Sequence, residues 1–153
     1  MIAHLRALIE AAEKEIAELE VKIAIAEKEL AKCVELKPIL DKINSSALCG
    51  YNALQRAGNS LNAGIKISGV GQGEKILERS NNIQKLGSNA LAASANVQLR
   101  TTELENNIET WNARIASLRS SIAGWRAEIA RLEEEARRRA AEEAEKERRE
   151  YGG

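Results

Sequence analysis

At 153 residues, with 23 basic and 23 acidic side chains, the chain has no formal net charge. This excludes a general nucleic-acid binder, which needs surplus Lys and Arg to release counterions. Phe is absent, Trp and Tyr number two each and 30% of residues are charged, a composition typical of long helices or coiled coils and not of an aromatic-cored globule.

The first predicted element is a helix over about 2–67. Apolar residues recur at alternating spacings of three and four through Ile2, Leu5, Ile9, Ala12, Ile16, Leu19, Ile23, Ala26, Leu30 and Cys33. This is the a/d seam of a coiled coil. The seam then slips and resumes at Leu36, Leu40, Ile43, Ala47, Gly50, Leu54, Ala57, Leu61 and Gly64, with Pro38 inside the slip. Proline removes a backbone donor and crowds the preceding turn, so a break or kink is expected near 34–38. Cys33 and Cys49 would lie about 24 Å apart along a helix, too far for a disulfide within it. Both are expected as buried thiols acting as small apolar residues.

Residues 68–73, Ser-Gly-Val-Gly-Gln-Gly, predict a turn, because three glycines in so short a stretch disfavour helix. They lack the preceding strand and the Lys-Ser/Thr pair of a phosphate-binding loop. A second helix is expected over about 74–150. Its seam runs through Val97, Thr101, Leu104, Ile108, Trp111, Ile115, Leu118, Ile122, Trp125, Ile129, Leu132 and Ala136. Size matching then pairs the helices antiparallel in a register where partner numbers sum to 137. Ala26 meets Trp111, Ala12 meets Trp125, Leu19 meets Leu118 and Leu5 meets Leu132, so that large faces small. The expected fold is a single all-α domain, a long antiparallel two-helix hairpin, completing a four-helix bundle with a partner or a second copy. Its predicted core is Ile9, Ala12, Ile16, Leu19, Ile23 and Ala26 against Trp111, Ile115, Leu118, Ile122, Trp125 and Ile129. Residues 137–153 form a polar overhang in which Glu and Arg three or four positions apart support a solvated helix.

The stretch from about 44 to 101 breaks this regularity. Charge thins out, Asn, Ser, Gly and Ala become common, and apolar residues appear off the seam. Leu48, Tyr51, Gly58 and Ile65 on the first helix, with Leu77, Leu86, Gly87 and Leu91 on the second, form the predicted partner-binding surface. Its small residues would permit close approach of another protein's helices. The alternative is an ordinary, loosely packed stretch of hairpin. No catalytic constellation is found: His4 is the only histidine, a hairpin offers no cleft, and no Cys or His pair has metal-ligand spacing. No cofactor, metal, nucleic acid or membrane insertion is expected. The longest apolar runs are far too short to span a bilayer, and Glu10, Glu13 and Glu15 fall where a signal peptide would be apolar.

One resemblance carries further. Ser45-Ser46-Ala47-Leu48-Cys49-Gly50-Tyr51-Asn52-Ala53-Leu54-Gln55-Arg56-Ala57-Gly58-Asn59-Ser60-Leu61-Asn62 is followed by Ser68-Gly69-Val70-Gly71-Gln72-Gly73-Glu74-Lys75-Ile76. A Ser/Asn/Ala-rich helix and Leu104-Glu105-Asn106-Asn107-Ile108-Glu109 come next. This pattern, over about half the chain, resembles the small WXG-like helical-hairpin proteins associated with LXG-domain toxins of Gram-positive type VII secretion. The resemblance implies an accessory or adaptor role, binding the helical N-terminal domain of a toxin in the cytoplasm, with export by a signal-peptide-independent route. The turn carries Ser68-Gly69-Val70-Gly71 in place of Trp-X-Gly, and no Tyr-X-X-X-Asp/Glu or Phe-X-X-X-Asp signal follows the second helix, leaving an export signal to the partner. The alternative function is a structural coiled-coil scaffold, natural or engineered, that self-associates.

Overall fold

The computed structural model describes residues 1–64 and 72–152. They form two long α-helices, α1 (Ile2–Gly64) and α2 (Gln72–Tyr151), packed antiparallel as an all-α hairpin; Glu29 pairs with Arg100, whereas Gln55 pairs with Ser80. Ile65 and residues 68–71 of the expected turn lie outside the described residues. Gln72 and Gly73, expected in that turn, belong to α2. Gly73 serves packing there, since a Cβ at this position would collide with Asn62 Oδ1 and stand 2.9 Å from the Gly58 carbonyl oxygen.

Two corrections concern α1. Of the break or kink expected near 34–38, the break is absent: α1 runs on through Pro38. Proline deprives the Val34 carbonyl of its helical donor, but Val34 is 60% exposed, so water can satisfy that oxygen. Nor does the seam slip. After Leu30, Cys33, Lys37, Leu40, Asn44, Ala47, Tyr51, Leu54, Gly58 and Leu61 are each buried or half-buried, and they continue the original alternation of four and three. Leu36, Ile43 and Ala57 therefore stand outside the seam and are exposed. The frame retains Lys37 because its long stem can lie along apolar surface while its head reaches a partner; Asn44 is half-buried on the same frame. Lys37 Nζ donates to Asp41 Oδ2 at 2.8 Å.

The chain divides into two compact units, Met1–Ile25 with Asn107–Gly153 and Ala26–Asn106. In the first, Ala12, Leu19, Ile23, Ile115, Leu118 and Ile122 form a buried cluster, with Ile9, Ile16, Ile108, Trp111 and Trp125 packed against it. Aliphatic seam burial of this kind contributes on the order of 1.5–3 kcal/mol per large side chain. Charged residues flank the seam on both sides. Arg114 clasps Glu15 on one flank at 2.8 and 3.2 Å. Arg119 reaches Glu20, Arg126 reaches Glu13 and Arg6 reaches Glu133 on the other. With the seam positions lettered a and d, these are g–g and e–e pairs, the flanking partners of an antiparallel pair of helices. All are exposed, so each contributes little to stability while favouring this alignment.

These ion pairs also correct the register. Partner numbers sum to 129 for Glu15 with Arg114 and to 139 for Glu20 with Arg119, flanking a seam centred on 134, not 137. Size matching set d residues against d residues. In the antiparallel pair a d residue is level with an a residue, which shifts the partners by three. The second unit has the same spacing: Ala47 faces Gly87.

At Gly87 an added Cβ would lie 2.9 Å from the Ala47 Cβ, whereas at Gly124 it would meet nothing within 4 Å. Gly87→Ala is expected to destabilise the hairpin by about 1–3 kcal/mol through overpacking. Gly124→Ala is expected to stabilise it by about 0.5–1 kcal/mol through helix propensity. Urea titrations followed by circular dichroism test both signs.

Candidate partner-binding surface

The unit Ala26–Asn106 is built on the same heptad frame with different side chains. No charged residue occurs from Ile43 to Gln55, and Lys85 alone from Ser80 to Leu99. On α2 one seam column is made of small residues: Gly73, Ser80, Gly87 and Ser94, all buried. Their lack of bulk brings the two backbones together, and leucine atoms of Leu77 lie only 2.7–2.8 Å from where a Gly58 Cβ would be.

The buried hydroxyls are satisfied locally. Ser80, fully buried, donates to the Leu77 carbonyl at 2.7 Å and accepts from Gln55 Nε2 at 2.8 Å. Ser94 donates to Asp41 Oδ1. The Lys37 ammonium and, secondarily, the Ser94 hydroxyl hold the Asp41 carboxyl below its ordinary range. Among the described residues no buried side-chain nitrogen or oxygen lacks a partner. Such contacts tie particular residues of α1 to particular residues of α2, which a column of alanines would not do.

The flanks differ most. At e and g positions, where the other unit carries Glu and Arg, this unit keeps one such pair, Glu29 with Arg100, and places aliphatic residues at several of the others. Ile43 and Leu86 occupy one flank and Leu48 and Leu91 the other. Leu48, Leu86 and Leu91 are 57%, 57% and 55% exposed. Around Ile43 and Leu86 lies an open groove of about 630 Å³ lined also by Ile39, Lys42, Ser46, Ala47, Gly50 and Ile83. Charge depletion of this kind marks the centre of protein interfaces.

The eight predicted partner-binding residues do not form one stripe. Gly58 and Gly87 are buried in the hairpin's own seam, Tyr51 is half-buried on it, and Leu77 packs over Gly58. Leu48 and Leu91 share one exposed flank with Leu77 at its edge, and Leu86 belongs to the opposite groove. Gly87 lies before Val97, where the seam followed on the second helix begins; Tyr51 and Gly58 fall outward on the slipped frame because it places Gly50 and Ala57 on the seam in their stead. Sequence reasoning missed Ile39 and misplaced Leu36 and Ile43 for the same reason. Continuing the first heptad through Lys37 and Asn44 would have found them. Cys33 is half-buried on the seam, but Cys49, expected to be buried, is exposed. Among the described residues no three His, Cys, Asp or Glu side chains converge as metal ligands, and no helix is long and apolar enough to cross a membrane.

Because the folded state favours ionised Asp41, its contribution is full above the unfolded aspartate value of about 3.9 and is lost as pH falls through the lower folded value. Melting temperature is therefore expected to drop on acidification below that range, with Asp41→Asn flattening part of the drop. Thermal melts from neutral pH downward, wild type against variant, check this.

Comparison of the chain with family models, curated proteins and solved structures finds no match in any of the three.

Proposed function

We propose that this chain is a non-catalytic protein–protein interaction module whose turn-proximal half docks amphipathic helices of another protein. One observation carries the proposal: the flanking positions that hold Glu–Arg pairs beside one stretch of seam hold exposed aliphatic pairs beside the other. A lone hairpin gains nothing from exposed leucines on a charge-free surface, whereas a helix laid across them buries both partners' apolar faces. The binding flank is centred on Leu48 and Leu91. The sequence resemblance points to the helical N-terminal domain of an LXG toxin as the partner, with the hairpin acting as its adaptor for type VII export. The self-associating scaffold is the second reading, favoured by the regular ion-pair ladder of the other unit.

Burying two half-exposed leucines contributes roughly 2–3 kcal/mol. Leu48→Glu with Leu91→Glu should therefore weaken binding of a purified LXG N-terminal domain by about a hundredfold in calorimetry. Because both positions are exposed in the hairpin, helicity should be unchanged. An undiminished affinity would remove these residues from the interface, and no binding by wild type would reject the toxin-partner reading.

A further inference from the structure

The groove flank of α1 is ordered by size. Leu36, Ile39 and Ile43 come first, then Gly50, Ala53 and Ala57, with Ser46 between the two sets; none is fully buried. Steps of three and four keep all of them on one face, a second heptad column beside the hairpin seam. Three large residues followed by three small ones is the order a surface needs to pack on itself in antiparallel fashion. When residue numbers of two copies sum to 96, Ile43 of each lies on Ala53 of the other and Ile39 on Ala57, while Ser46 meets Gly50. A parallel pairing would set large on large at one end and leave voids at the other.

Charge selects among antiparallel registers. One heptad shorter, large still meets small, but Lys42 faces Lys42 of the second copy. At 96 the adjoining rim column, Glu35, Lys42, Cys49 and Arg56, sets Glu35 against Arg56 and Lys42 beside neutral Cys49. Glu35, Lys42 and Arg56 are all exposed. We infer that this face of α1 binds the same face of a second copy of the chain, antiparallel about a two-fold axis near residue 48, with Leu86 walling the groove. Such a contact is isologous, each patch serving as its own complement. The inference goes beyond the partner-binding reading, since Leu48 and Leu91 lie on the other flank and stay open.

Light scattering of the full chain across a hundredfold concentration range tests it. Wild type is expected to reach twice the chain mass. Ala53→Arg, an exposed position in the hairpin, should stay monomeric throughout with unchanged helicity. Arg56→Glu should weaken the dimer on the order of tenfold through its two rim pairs, and adding Glu35→Arg should restore it. A wild-type monomer at every concentration, a dimer that survives Ala53→Arg, or a double reversal as weak as Arg56→Glu alone would each overturn the inference. A wild-type monomer that still binds a toxin domain through Leu48 and Leu91 would overturn it while sparing the proposed function. A dimer that binds no such domain would do the reverse.

Discussion

Between Cys33 and Leu61 the separation of the two helices depends on one column of α2, where Gly73, Ser80, Gly87 and Ser94 take the place of aliphatic side chains. Glycine costs a helix interior about 1 kcal/mol relative to alanine, yet here the missing Cβ is what lets Ala47 and the Gly58 backbone approach α2. Close approach has a geometric corollary. With the axes near each other, side chains at flanking positions are pushed outward instead of folding over the seam. Ile43, Leu48, Leu86 and Leu91 are left partly in solvent. The small column and the exposed leucines are thus one feature seen from inside and outside.

A seam of small residues is poorly specified by size, because sliding it by a heptad changes little. Directional contacts supply what shape does not. Gln55 with Ser80, and Asp41 with Ser94, hold single residues in single pairings across the seam, and a slip would break both contacts. Elsewhere aliphatic bulk and the Glu–Arg flanks do the same job by different means. The bidentate clasp of Arg100 on Glu29, at 2.7 and 2.9 Å, belongs to this second style.

Most of the hairpin was legible in the sequence because its signal is periodic: Ile2 through Cys33 and Val97 through Leu132 declare a helical seam unaided. Legibility failed where polarity and burial part company. Lys37 and Asn44 look like surface residues, and Ile43 and Leu36 like core, so following hydrophobicity moved the frame by three residues. The frame itself was continuous, held by backbone geometry that Pro38 did not interrupt. The register failed for a simpler reason. Matching Ala12 to Trp125 honours volume but ignores that facing helices run in opposite directions, so like heptad letters do not stand level. The candidate surface inherited the frame shift on α1, which is why Tyr51 and Gly58 lie on the seam and not outside it.

From Ala136 to the end of α2 at Tyr151 every residue is exposed. Arg131 bridges Glu128 and Glu135, Arg137 meets Glu134 and Arg149 meets Glu145. Among the described residues, the ion pairs shown for this segment are with neighbours on α2 itself. Its backbone amides should open and exchange with solvent without waiting for the hairpin to unfold. Added salt, which screens exposed pairs, should loosen it while leaving the aliphatic seam untouched. One helix thus contains two thermodynamic domains, a cooperative part tied to α1 and a terminal part whose order follows ionic strength.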